Sequence, residues 1–353
     1  MSGTQGTLVT LRPTARRPRG GRVTTGLRRL GRRARRRLLA LGTALGTALG
    51  LALLVPGDAS AAYPGPGVVT GDVVVHDPSM VRTPEGEYLL YSTHNGLEAR
   101  SSTDRTAFTR VGSAFASPPA WWAEYSTEQD PWAPDISYHN GTYWLYYAVS
   151  SFGSNHSAIG LATSATGQPG SWTDRGVVYA TDTGDDHNAI DPNLFVDGDD
   201  WYLTFGSFWT GIKMIRIDPA TGKRLGDDLY SLASRDSTAV EAPSLVKRGG
   251  YYYLFVSFDR CCAGTDSTYS VRVGRATSPT GPFVDADGTP MTRGGGTPVL
   301  ETHDRVVGPG GQSLIQDVDG DLLVYHYYDR DDGGTPKLGL NLVDWSSGWP
   351  VVY

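Results

Sequence analysis

"IDPNLFVDGDDWYLTFGSFW", residues 190–209, holds one unit of the pattern that decides the fold. It reads as a box built on Pro192, an apolar run, a tight turn at Gly198 and a second run rich in aromatics. Runs of aromatic and aliphatic residues separated by Gly, Asp and Asn are strand-and-turn signals. The unit recurs four more times. Its boxes are "HDPSMV" (76–81), "WAPDIS" (132–137), "EAPSLV" (241–246) and "GPGGQSLI" (308–315). The second halves are "EGEYLLYSTH" from Glu85, "NGTYWLYYAVSSF" from Asn140, "GGYYYLFVSFD" from Gly249 and "DGDLLVYHYYD" from Asp319. Pro78, Pro134, Pro192, Pro243 and Pro309 fall 56, 58, 51 and 66 residues apart. With room for further strands in each unit, this repetition predicts an all-β fold, a five-bladed β-propeller of four-stranded blades around a central channel. A β-sandwich is the alternative, but it would not require five matched boxes.

The first 61 residues read differently. Twelve arginines and no acid lie between residues 12 and 37, the apolar run "LLALGTALGTALGLALLV" follows, and "ASA" (59–61) supplies a small-residue cleavage pattern. This order predicts a secretory signal, residues 1–61, removed from a single domain spanning 62–353. A basic nucleic-acid arm or a membrane anchor are the alternatives, and the cleavage pattern favours removal. Of 31 basic and 37 acidic residues the leader takes twelve arginines and Asp58, leaving 19 basic against 36 acidic, a net charge near −17. Such an acidic surface argues against nucleic acid or anionic lipid as partner. It suits a neutral substrate outside the cell, and a monomer is expected. The only cysteines, Cys261 and Cys262, are neighbours and cannot staple distant segments; the sequence leaves open whether they are bonded.

In a propeller the five boxes gather at one mouth of the channel, because the strand after each tight turn returns antiparallel to where its box sits. The expected return points are His94, Phe152, Phe208, Phe258 and His326. Three boxes carry an acid beside the proline: Asp77, Asp191 and Glu241. Asp135 follows its proline and should face differently. A single acid before proline is often a turn cap. Three at equivalent positions of a ring would instead raise one another's pKa, an arrangement tolerated for function. Two facing carboxyl groups are the equipment of glycoside hydrolysis, one protonated and one ionised. Glu241, longer by one methylene, suits the acid, with Asp77 as base and Asp191 as modulator.

Trp132, Phe152 and Trp209, with "SFGSN" (151–155, including Gly153) and "FGSFW" (205–209), supply aromatic faces and small polar groups for a sugar. The metal and nucleophile motifs HExxH, C-x-x-C, P-loop and G-x-S-x-G are missing. "DVDGD" (317–321) lacks the glutamate of a calcium loop and reads as a hairpin turn. His326 either binds a metal in the channel or hydrogen-bonds core groups; spacing favours the second.

The series "HDPSM", "WAPDI", "YWLYYAVSSFGSNHSAIGLA", "NAIDPNL", "FGSFWTGIK", "EAPSL", "YYYLFVSFDRCC", "GPGGQ" and "SSGWP" resembles the bacterial arabinanases of glycoside hydrolase family 43, above all the endo-acting ones. The resemblance runs from about residue 70 to the C-terminus. It implies a five-bladed propeller cleaving α-1,5-linked L-arabinan with inversion, by Asp77 as base, Asp191 as modulator and Glu241 as acid. An inverting pair stands about 6.5–9.5 Å apart. The resemblance also implies substrate contacts at Trp132, Phe152, Asn188, Ser207, Phe208 and Trp209. It further implies a calcium or similar ion in the channel, held by His326 and water. Many relatives have a histidine where Gly311 stands. Exo-acting arabinanase, arabinofuranosidase and xylosidase are rival activities on the same fold, and a non-catalytic carbohydrate-binding propeller is the rival of another class.

Overall fold

Ten hairpin halves become the inner strands of five sheets in the computed structural model, which describes residues 63–353. Each sheet is an antiparallel meander of consecutive strands. Their first strands are Ser79–Arg82, Trp132–His139, Asn193–Asp197, Val240–Arg248 and Val306–Asp317. The second strands are Tyr88–Ser92, Thr142–Val149, Asp200–Phe205, Tyr251–Phe258 and Gly320–Asp329. The first sheet gains a fifth strand, Thr70–Gly71, parallel to Ala107–Ser113. The single α-helix among the described residues is the short Trp122–Tyr125. The expected leader lies outside the described residues, and among those described no helix is long and apolar enough to cross a membrane.

Five core clusters separate propeller from sandwich. Leu89 and Tyr91 of the first blade pack with Leu145 and Tyr147 of the second. Trp144 and Leu161 pack with Leu203 and Ile215 of the third. Phe195 and Ile212 meet Leu254 and Val256 of the fourth, and Phe255 and Val273 meet Leu323 and Tyr325 of the fifth. Leu322 and Val324 then return to Met80 and Leu90 of the first. Every blade thus has a core on each face, and the ring closes. Successive strand residues point to opposite faces, so Trp144 and Leu145 serve different cores. This is why the second strands are apolar throughout and show no alternation of polar and apolar residues.

The ring closes without a strand donated from one end of the chain to the other. Segment 67–75 bridges the seam instead: Gly67 N–H donates to Leu340 O and Leu338 N–H to Val73 O, while Thr70–Gly71 pairs with the first blade. Arg105 crosses the same seam to both carboxylates of the Asp317–Asp319 turn, at 2.5 Å each. That turn is the hairpin expected for "DVDGD".

The boxes share one backbone device. Asp77, Ala133, Asp191, Ala242 and Gly311 all lie in the left-handed region, at φ 46, 44, 55, 50 and 57°. Proline follows the first four, and Gln312 follows Gly311. A left-handed residue next to a residue with no N–H breaks the ladder locally. In the first and third blades the strand begins just after the pair; in the second and fourth the pair forms a bulge within it. Two expectations are corrected by this register. Pro309 is not the fifth equivalent proline, since Gly311–Gln312 occupies that place. Glu241 is not equivalent to Asp77 and Asp191: it lies one residue earlier, and Ala242 holds their position.

In four of the five blades the residue after the pair stitches blades together. Ser79 Oγ accepts from Ile136 N–H, Asp135 Oδ2 from Leu194 N–H and Asn193 Oδ1 from Leu245 N–H, while Ser313 Oγ donates to Pro78 O. Backbone groups freed where the sheets end at the channel are thereby paired by the neighbouring blade, as buried polar groups must be.

Candidate active site

The left-handed residues and those after them line the mouth of the channel, among them Asp77, Asp135, Asp191, Asn193 and Gln312. Glu241, one position earlier, is a ladder residue opposite Ser257. Despite the offset, the charges of Glu241 and Asp77 both act on Asp191. The three expected carboxyls therefore converge, by two different routes.

Asp77 is held ionised. His76 Nδ1 lies 2.8 Å from Asp77 Oδ2, and Thr93 Oγ donates to the same oxygen over 2.8 Å. Burial pushes this carboxyl up, but the charge and hydrogen bond of His76, the nearby His326 and the Thr93 hydroxyl outweigh it. The result is a pKa well below the usual carboxylate range. His76 is correspondingly raised: burial disfavours its charge, and Asp77 more than restores it.

Asp191 and Glu241 are pushed the other way. Burial, then the charges of Glu241 and Asp77, carry Asp191 well above the ordinary aspartate value, against the single N–H of Ala242, 3.0 Å from its Oδ2. Burial also raises Glu241, against hydrogen bonds from Tyr269 to Oε1 at 2.6 Å and Ser207 to Oε2 at 2.9 Å. The cluster thus holds one ionised carboxylate beside two groups disposed to keep a proton. Asp135 is a fourth channel carboxyl, raised to about 6 by burial against its bonds to Leu194 N–H and Asn193 Nδ2. Those bonds make it part of the stitching between blades.

The expected binding residues divide into two groups. Phe152 is 88 % exposed, with Gly153 beside it exposed in the left-handed region, and Phe208 is 41 % exposed. Trp132 and Trp209 are half-buried. These offer faces to a ligand. Asn188 and Ser207 are buried: Asn188 Oδ1 accepts from Ser207 N–H over 2.8 Å, and the Ser207 hydroxyl is turned to Glu241. Of the return points, Phe258 packs in the core between the third and fourth blades, and His94 pairs with Asp130 at 2.6 Å.

His326 is fully buried, Nδ1 accepts from Asp77 N–H over 3.1 Å, and Nε2 has no protein partner. Burial and the charge of His76 hold the ring neutral. With His76 and Asp77 it forms a group of metal-capable atoms within 4.8 Å of one another. Because Nδ1 accepts from Asp77 N–H, the neutral ring carries its hydrogen on Nε2, so a cation at this place would be held through a water that accepts from Nε2–H. A hard cation such as calcium takes oxygen ligands, which suits a place reached through water.

Sequence reasoning missed His76, Thr93, Tyr269 and Tyr328. His76 had a signal, a polar residue abutting Asp77 in the box. Tyr269 had none, because one tyrosine among nineteen is core until its hydroxyl is located. Cys261 and Cys262, left open above, are bonded to each other.

A propeller mouth with one ionised carboxylate, protonatable carboxyls and exposed aromatic rings is built as a glycoside hydrolase. Residues 68–350 match the family model described as glycosyl hydrolases family 43. The chain belongs to that family. It is 46 % identical over 301 residues to the extracellular endo-α-(1→5)-L-arabinanase 1 of Bacillus subtilis, covering 83 % of this chain and 90 % of the relative. Among solved structures, an endo-arabinanase of Bacillus licheniformis superposes with a TM-score of 0.76 at 46 % identity, over 80 % of this chain and 99 % of that one. An exo-1,5-α-L-arabinanase from a bovine ruminal metagenomic library gives the same TM-score and coverage at 36 % identity.

Proposed function

We propose that this protein is an extracellular, monomeric endo-1,5-α-L-arabinanase that cleaves internal arabinofuranosyl bonds of arabinan with inversion. The observation that carries the chemistry is the opposite displacement of two carboxyls: Asp77 held ionised, Glu241 raised. An inverting glycosidase needs that division. Asp77 Oδ1, the oxygen not engaged by His76 or Thr93, takes a proton from water as it attacks the anomeric carbon. Glu241 gives its proton to the departing O5. Burial, then the Asp77 charge, raises Glu241, and Asp191 modulates it in turn: whenever Asp191 is the one of the pair that ionises, its charge keeps the proton on Glu241. Phe152, Phe208, Trp132 and Trp209 bind arabinose rings by their apolar faces. A cation at His326, proposed as calcium, would add fixed positive charge beneath the carboxylates.

Endo action rests on the 46 % relatives, and the exo-acting relative at 36 % keeps the second reading specific. Two measurements decide. Early products from linear arabinan, sized by chromatography, must span several lengths; a single short product shows exo action. Glu241→Gln must lower kcat by about 10²–10⁴-fold, the usual contribution of a general acid, while arabinan still binds. Unimpaired turnover would refute the assignment.

A further inference from the structure

We infer that the Cys261–Cys262 disulfide is a positioning element for the Asp77 carboxylate, acting through Tyr328 and His76; this rests on Asp77 being the base proposed above. The disulfide sits in the loop that follows Tyr251–Phe258 of the fourth blade. Bonding adjacent cysteines closes a small ring around their shared peptide and gives the Cys262 N–H one direction. That N–H donates to Tyr328 Oη over 2.8 Å. Tyr328 Oη is 2.9 Å from His76 Nε2, and His76 Nδ1 is 2.8 Å from Asp77 Oδ2. Cys262 Sγ itself lies 3.8 Å from His76 Nε2. One chain of contacts thus runs from a fourth-blade loop, across a fifth-blade tyrosine, to a first-blade base.

The polarity of the chain is set at its outer end. Because the Tyr328 oxygen accepts from Cys262, the phenol hydrogen is free to turn toward His76 Nε2. Whether the ring is neutral or, with Nε2–H donating to the Tyr328 oxygen instead, protonated, it carries a hydrogen on Nδ1, facing Asp77. A histidine nitrogen is assigned its role by what the other one bonds. His76 also stacks on His326 at 3.9 Å, so its ring plane is held while its edge is aimed. The rest of the loop is fastened to itself, through Thr268 N–H to Arg260 O and Ala263 N–H to Ser267 Oγ. Cys262 occupies the left-handed region, at φ 61°. Opening the ring removes the covalent reason for that conformation and lets the N–H leave Tyr328.

The test uses the full enzyme and a water-soluble phosphine, which is oxidised to its oxide with oxygen from water as the disulfide gains two electrons and two protons. Alkylation and mass measurement confirm two thiols. Reduction should lower kcat on arabino-oligosaccharides on the order of ten-fold with KM unchanged, since a small displacement of a reacting group is felt in the chemical step. Reoxidation should restore it. Tyr328→Phe, with its disulfide intact, should show the same fall and no further loss on reduction, because both changes cut one chain. A reduced wild type with full kcat, or losses that multiply, overturns the inference. Circular dichroism follows the fold; if reduction abolishes the β-sheet signal, Tyr328→Phe decides alone, and unchanged kcat overturns. The His76 imidazole resonance reads the contact without turnover. It must move on reduction, and a stationary one overturns the inference even in a wild type that cleaves no arabinan, a result that would separately refute the proposed function.

Discussion

The Tyr269 hydroxyl donates to Glu241 Oε1 over 2.6 Å, shorter than the 2.9 Å bond from Ser207 to the other oxygen. A donor to a carboxylate favours its ionised form, so Tyr269 holds Glu241 below where burial alone would put it. Tyr269→Phe should therefore raise the Glu241 pKa further. A general acid works while protonated, so activity is lost as pH rises through that pKa. In the variant the alkaline limb of kcat/KM should move to higher pH, while the acid limb, set by Asp77 remaining ionised, stays in place. An alkaline limb that moves down would remove Glu241 from the role of acid.

Gly311 is the left-handed residue of the fifth blade, and a Cβ there would lie 2.4 Å from Asp77 Oδ1 and 2.8 Å from the His326 ring. Gly311→Ala should destabilise by about 1–3 kcal/mol through backbone strain, read as a lower urea midpoint. Displacing Asp77 by roughly 1 Å should also cost on the order of a hundredfold in kcat. A variant with wild-type turnover would show that the Asp77 position tolerates movement.

Phe152 is so exposed that its removal leaves no cavity. Phe152→Ala should leave stability within about 0.5 kcal/mol. Losing a stacking contact of about 0.5–1.5 kcal/mol should raise KM for arabinan several-fold with kcat unchanged, the mark of lost uniform binding. An unchanged KM would place Phe152 outside every subsite.

A cation held through water at His326 would stabilise the folded form by mass action. Dialysis against a chelator should lower Tm, and added calcium should restore it, while His326→Gln should not respond to either. Equal melting of the chelated and calcium-loaded wild type would refute an ion at this place.

Much of the fold is legible because each second strand is buried on both faces. "YWLYYAV" and "YYYLFV" cannot be half-exposed strands, and five such runs behind five boxes leave few architectures. Asp77 and Asp191 are legible for a related reason: an acid at the head of a buried strand, followed by proline, has no place inside a core. The equivalence of Glu241 is misleading in sequence. "EAP" and "IDP" align on proline, and only the backbone shows that Ala242, with φ 50°, is the match for Asp191 at 55°. Pro309 misleads similarly, being a proline near the box yet out of its register.

The sequence by itself determined the propeller and the family to which the chain belongs, and singled out the three carboxyls as candidates, because burial and repetition are local and periodic properties. Only the tertiary structure decided how those carboxyls differ. Their protonation depends on partners distant in the chain: Tyr328 reaches His76 across 252 residues, and Ser207 reaches Glu241 across 34. A pKa is set by the charges, donors and water within a few ångströms, and those neighbours exist only after five blades have closed on one channel.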